Sequence, residues 1–213
     1  MPRRLFVPAL AGAIVLTIGS GFGDGLFISL WTIWMADLHA STSLIGLTFV
    51  TFSLPLMLLM PATGKLADRH RLAPLVAVPG ALISFVYLIY GFTTNLLLIT
   101  SIGLLEGTLM AVMVPATSAY IANLSPDNAR GRLQGFISTS RTAAGFASSM
   151  LVALLYEWGA LYPFLMLAGV QLLVSLVGGL IVWRIEQGTR EARLAPKEAR
   201  ERLGSPVLEG AAK

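Results

Sequence analysis

Six stretches of this 213-residue chain, residues 5–23, 40–64, 72–105, 107–126, 142–156 and 158–183, contain no Asp, Glu, Lys or Arg. An ionised group in hydrocarbon costs several kcal/mol, so in an apolar chain such gaps mark membrane spans and the charges between them mark span ends. A crossing helix needs about 20 residues. With turn signals taken into account, the gaps predict six helices, near Phe6–Trp34, Leu44–Pro61, Leu72–Phe92, Leu96–Asn123, Leu133–Tyr156 and Leu161–Trp183. The composition agrees. Only 12% of residues are charged, against roughly 25% in soluble domains, and the mean hydropathy is +0.76. A water-soluble globule and a disordered chain are both excluded. With no cysteine, so are disulfide frameworks, zinc-thiolate and iron-sulfur sites and thiol nucleophiles.

The connections are short and carry breakers or polar clusters: His39–Ser43, Gly64–Asp68, Gly91–Asn95, Ser125–Asn128 and Glu157–Gly159. Neighbouring helices are therefore antiparallel. The cations sort themselves on this frame. Arg3 and Arg4 precede the first helix, Lys65, Arg69 and Arg71 follow the second, Arg130 and Arg132 follow the fourth, and seven more follow the sixth. Fourteen of the fifteen cations thus lie on one side. That asymmetry predicts both termini at the cytoplasmic face. It also turns the basic pI of about 9.8 into an orientation signal; a nucleic-acid partner is not expected, because the cations are scattered over four juxtamembrane stretches. Trp31, Trp34, Tyr90, Phe92, Tyr156, Trp158 and Tyr162 fall near the outer interface and Trp183 near the inner one, as an aromatic belt would.

Residues 1–185 form the expected transmembrane domain. From Glu186 to Lys213 the chain changes character: eleven of 28 residues are charged, and Gly188, Pro196, Gly204 and Pro206 should cut any helix short. A solvated, disordered cytoplasmic tail is the expectation there.

Gly64-Lys-Leu-Ala-Asp68-Arg69-His-Arg71, between the second and third helices, resembles the signature loop of the Major Facilitator Superfamily of secondary transporters, Gly-x-Leu-Ala-Asp-Arg-x-Gly-Arg-Lys. Gly64, Leu66, Ala67, Asp68 and Arg69 match in place; Arg71 stands where the second glycine would fall. Ser125-Pro-Asp-Asn-Ala-Arg-Gly-Arg-Leu-Gln-Gly135 is similar to the family's fourth-to-fifth loop. Glu106-Gly107 replaces the Arg ahead of glycine found in many first halves, and Gly145–Ser149 lacks the Gly-Pro pair of the antiporter signature. The chain therefore most resembles the second six helices of a twelve-helix transporter.

That resemblance implies an all-α, six-helix half of a Major Facilitator fold, built as a three-plus-three inverted repeat. It implies no enzyme activity and no cofactor. Its function would be proton-coupled movement of a small organic solute, most like drug or metabolite efflux, in a bacterial cell membrane. The cavity of such a transporter forms between two halves, so a second six-helix half or a homodimer is expected; the alternative is a truncated or non-transporting membrane subunit. Asp68 at a helix N-terminus and Arg69 would act as a conformational latch with Gly64.

Asp24, Glu106 and Arg141 remain inside the membrane, where charges are expensive and by default mark a cavity or proton path. The first and fourth helices line the cavity in the resembled family, and these carry Asp24 and Glu106. At helical spacing Asp24 shares a face with Phe27 and Trp31, and Glu106 with Met110. A carboxylate beside aromatic and thioether groups suits a cationic or amphipathic substrate. Acids held out of water suit proton exchange, and Arg141 is expected to neutralise one of them. The competing reading is an internal ion pair that ties helices together. Small residues predict close helix packing, Gly19, Gly21, Gly23 and Gly25 on the first helix and Gly145 and Ser149 on the fifth. His39 and His70 fall in loops on opposite sides, so no histidine triad or metal cluster is expected in the membrane.

Overall fold

Hydrocarbon offers no water to a bare peptide group, so a spanning segment satisfies its backbone internally as a helix. In the computed structural model, which describes residues 3–124 and 130–194, this happens six times: α1 (Arg3–Asp37), α2 (Thr42–Arg69), α3 (Leu72–Phe92), α4 (Leu96–Leu124), α5 (Arg130–Trp158) and α6 (Leu161–Leu194). Local chemistry sets several of the ends. Ser41 caps α2 by accepting from the Leu44 N–H at 3.2 Å. Asn95 caps α4, its Oδ1 accepting from Leu97 at 3.0 Å and Leu98 at 3.2 Å. Gly159, at φ 137°, makes the turn into α6 in a backbone region that favours glycine.

Two expected boundaries move by more than a turn. The second helix does not stop at Pro61 but runs on to Arg69, so Gly64–Arg69 is helical and the connection to α3 shrinks to His70 and Arg71. Proline inside a membrane helix is tolerated because neighbours re-satisfy the freed carbonyl. Likewise α6 passes Trp183 and Gly188 and reaches Leu194. One glycine costs a helix only about 1 kcal/mol, so it did not end the helix where the tail was expected to begin. The rest of the expected tail, 195–213, and the Ser125–Asn128 turn lie outside the described residues.

Among the described residues, five helices are long and apolar enough to cross a membrane. The exception is α5, whose exposed side carries Gln134, Ser138, Arg141 and Thr142. A helix with such a stripe belongs beside protein or a water-filled cavity.

The packing shows the repeat. Helix α1 packs on α5 and α6, α4 packs on α2 and α3, α3 packs on α6, and α1 touches α4 at the centre. Exchanging α1 with α4, α2 with α5 and α3 with α6 maps these pairs onto one another; α5 also touches α6, a contact without a counterpart of like extent between α2 and α3. Each repeat has three antiparallel helices, so the second starts from the opposite side of the membrane, which makes the repeat inverted. The outermost positions fall to α2 and α5, whose free faces present Met57 and Leu58, and Phe146 and Met150.

Trp31, Trp34 and Tyr90, expected at the outer interface, instead form the centre of the core with Phe164. Trp31 meets Tyr90 at 4.9 Å and Trp34 meets Phe164 at 4.7 Å, both edge to face. These rings point between α1, α3 and α6, and such pairs add about 0.5–1.5 kcal/mol each beyond burial. Phe92 and Trp158 remain exposed, as a belt requires.

Candidate functional site

Close approach of two backbones creates the site. Gly21 and Gly25 lie on the side of α1 that meets α5, where a Cβ on either would run into the main chain at Arg141 and Gly145. Ser149 ties the crossing by donating its hydroxyl to the Gly25 carbonyl at 3.0 Å. The other small pair of α1 faces α6, with Gly19 against Val174 and Gly23 near Leu167 and Gln171. Small residues at four-residue spacing thus serve two neighbours at once.

This crossing sets Asp24 opposite Arg141. The Arg141 Nε donates to Asp24 Oδ2 at 3.0 Å, and Nη2 reaches the same oxygen. The pair borders a cleft of about 170 Å³ open on one side, with side-chain exposures of 40% for Asp24 and 54% for Arg141. Met110 and Met113 of α4 line the opposite wall, with Thr17 and Ser20 of α1 nearby. Gln171 of α6 supplies an amide that approaches the Met113 sulfur at 3.6 Å and Ser175 Oγ at 3.2 Å.

Glu106 is placed differently. It is 2% exposed and does not line the cleft. Tyr90 donates its hydroxyl to Glu106 Oε2 at 3.0 Å, and Tyr87 is a second neighbour of its carboxylate. Arg141 therefore pairs with Asp24, while Tyr90 hydrogen-bonds Glu106. Phe27 and Trp31, expected beside Asp24, turn into the core. They stack with each other at 4.9 Å, and the Trp31 Nε1 donates to Thr48 Oγ1 at 2.9 Å. Of the four expected pocket side chains and acids beyond the ion pair, the structure brings only Met110 to the cleft.

Residues 13–210 match the sequence pattern of the Major Facilitator Superfamily. The chain belongs to this superfamily. Among similar proteins, Multidrug resistance protein 2 of Bacillus subtilis (strain 168) is 21% identical over 180 residues, covering 84% of this chain and 44% of the relative. Multidrug resistance protein 1 of the same organism is 20% identical over 186 residues, covering 87% of this chain and 48% of the relative. The chain spans about half the length of the curated relatives it matches.

The superfamily's signature residues lie at the end of the bundle where α2 passes into α3. Asp68 and Arg69 are exposed on the last turn of α2 and line a second, wider cavity of about 1000 Å³. Gly64 is half-buried, with no atom within 4 Å of where a Cβ would sit. The expectation that Asp68 stands at a helix N-terminus is corrected, since it lies in the last turn of α2, and the first N–H of α3 has another partner. That partner is Glu186 of α6, whose Oε1 accepts from the Leu72 N–H at 2.6 Å. Asp68 lies at the C-terminal end of its own helix, where the dipole disfavours an anion. Replacing Glu186 with alanine should remove the α3 cap, cost about 1 kcal/mol, and speed amide exchange at Leu72 in hydrogen-exchange mass spectrometry. An equivalent change from Asp68→Ala would restore the original assignment.

Tyr87, Tyr90 and Gln171 were not anticipated. A signal existed: Gln171 is a strongly polar side chain in an otherwise apolar span, and Tyr87 and Tyr90 share a helix face. A search for formal charge passes over all three.

Proposed function

We propose that this chain is one half of a proton-coupled secondary transporter that moves small amphipathic organic solutes outward, in the manner of drug or metabolite efflux. A second six-helix half, or a second copy of this chain, would cover the open side of the cleft along the free faces of α2 and α5. Both termini would face the cytoplasm of a bacterial cell. The observation that carries the reading is an ionised pair, Asp24 with Arg141, held on the wall of a membrane-embedded cleft whose opposite wall is methionine. Nothing about stability requires a charge pair there, since apolar residues pack at least as well. A solute with a cationic centre would take the place of Arg141 on Asp24, and the thioethers of Met110 and Met113 would adapt to its apolar body. The names of the two Bacillus relatives support the efflux direction. Gly64, Asp68 and Arg69 would serve as a latch, Asp68 and Arg69 from the wall of the second cavity.

A helix-tying role for the pair has one observation in its favour. The same α1–α5 seam also carries the Ser149 bond and a bond from the Tyr156 hydroxyl to Asp37. Flux of a lipophilic cationic dye in proteoliposomes under an imposed proton gradient separates the two roles. Asp24→Asn should lower gradient-driven flux by at least about tenfold, equivalent to about 1.4 kcal/mol of barrier. Unchanged flux would return the pair to a structural role, and a wild-type chain that moves no dye would favour the non-transporting subunit.

A further inference from the structure

Asp24 and Glu106 occupy matching points of the inverted repeat. Gly21-Phe-Gly-Asp-Gly25 in α1 and Gly103-Leu-Leu-Glu-Gly107 in α4 share the pattern Gly-x-x-acid-Gly. The glycine after each acid acts alike, Gly25 setting α1 against the main chain of α5 at Gly145 and Gly107 setting α4 against that of α2 at Phe52; Gly103, unlike Gly21, meets first a side chain, Thr51. The surroundings of the two acids nevertheless differ. Asp24 opens on the cleft and holds a cation. Glu106 is buried behind the cleft wall, and among the described residues no cation pairs with it; Tyr90 of α3 hydrogen-bonds its carboxylate, and Tyr87, one turn earlier on the same helix, is a close neighbour.

Those tyrosines are not equivalent. Tyr90 is wholly buried among the rings of Trp31 and Trp34. Tyr87 lines the cleft, neighbours Glu106, and packs against the Phe27 ring at 5.6 Å. A phenol can donate and accept at one oxygen, and Tyr87 places such an oxygen where the cleft meets the buried acid.

We propose that Tyr87 is the positioning residue through which Glu106 exchanges protons with the cleft. This rests on the proton-coupled reading above and deepens it. In the step, the Tyr87 O–H bond breaks as its proton passes to a carboxylate oxygen of Glu106. A new O–H bond forms on the Tyr87 oxygen from a hydronium ion in the cleft, leaving water. The phenol is restored, and one proton has moved from the cleft to Glu106. The first repeat thus keeps its acid for the solute, and the second keeps its acid for the proton, reached through a hydroxyl rather than by open water.

The test is infrared spectroscopy on the full chain in lipid nanodiscs. The carboxylic C=O band of Glu106 is identified by its loss in Glu106→Gln, and its shift is followed after a switch from H2O to D2O. Tyr87→Phe should keep the band and slow its exchange by at least about tenfold, a barrier increase near 1.4 kcal/mol. Tyr90→Phe, which removes a bond but no link to the cleft, should leave exchange near the wild-type rate. No slowing in Tyr87→Phe, or equal slowing in both variants, would overturn the proposal. Since the readout needs no transport, absence of dye flux from the wild-type chain would fail the transporter reading while leaving the exchange result separately legible.

Discussion

Gly25→Val is expected to pull α1 away from α5 and to destabilise the bundle more than any comparable change at its surface. The added Cβ would occupy the position of the Gly145 carbonyl. An obstructing side chain can rotate away; a main-chain carbonyl inside a helix cannot move without dragging its helix. Overpacking ordinarily costs about 1–3 kcal/mol, and a rigid obstacle puts this site at or above the top of that range. The Ser149 bond to the Gly25 carbonyl would be lost as well, worth about 0.6 kcal/mol between membrane helices. A total near 3 kcal/mol lowers the melting temperature of a chain this size by roughly 6–12 °C, readable by thermal unfolding in detergent. Gly46→Ala is the control. Nothing lies within 4 Å of a Cβ at Gly46, so filling that helical position should be neutral or stabilising by up to about 1 kcal/mol. Equal melting temperatures for Gly25→Val and wild type would show that the two backbones do not meet as closely as described. Because the same crossing positions Arg141, a loosened seam should also release Asp24 from its partner.

Glu106→Ala should be the second large loss, and Asp24→Ala a small one, although the two acids occupy matching points of the repeat. Removing the Glu106 side chain leaves a cavity in a site 2% exposed and strands the Tyr90 hydroxyl. Truncating a buried side chain of this size costs about 2–5 kcal/mol, and an orphaned buried donor about 1–3 kcal/mol, part of which is shared. Glu106→Gln preserves the volume and should cost about 1 kcal/mol. A double-mutant cycle checks the contact itself: Glu106→Ala with Tyr90→Phe should cost about 1 kcal/mol less than the sum of the singles. Strict additivity would mean that the 3.0 Å bond contributes nothing. Asp24 and Arg141, by contrast, are 40% and 54% exposed at the side chain, and a pair so open is screened to about 1 kcal/mol or less. The pattern that follows is diagnostic. Asp24 variants should lose transport with little loss of stability, and Glu106 variants should lose both.

The positions of the spans were legible because charge is scarce. The six gaps predict α3 and α4 to within a residue of their observed ends, since hydrocarbon punishes ions at any point along the chain. The same scarcity singled out Asp24, Glu106 and Arg141. Where helices end in water the signal weakens: α2 runs through Pro61 and Gly64 to Arg69, and α6 through Gly188 to Leu194. There, neighbouring contacts and intrahelical bonds outweigh the small penalties of a proline or a glycine. Face arguments had mixed success. Helical spacing put Met110 beside Glu106 and Phe27 and Trp31 beside Asp24; Met110 lines the cleft while Phe27 and Trp31 turn into the core, because a membrane helix is apolar all round and periodicity does not say which apolar side meets which neighbour. The Gly-x-x-acid-Gly repeat stood in the sequence all along, yet it acquires meaning only when both copies are seen at backbone crossings.

By itself, then, the sequence determined that the chain lies in a membrane, how many helices it forms, which signature residues it shares with its superfamily, and which three charges fall inside the helical spans. Only the tertiary structure decided that Arg141 belongs to Asp24, that Glu106 is held by Tyr90, and that Glu186 caps α3. The division has a physical cause. Burial of charge is a cost each residue pays alone and is visible one residue at a time, whereas a hydrogen bond depends on two groups whose meeting is set by how glycines let distant helices touch.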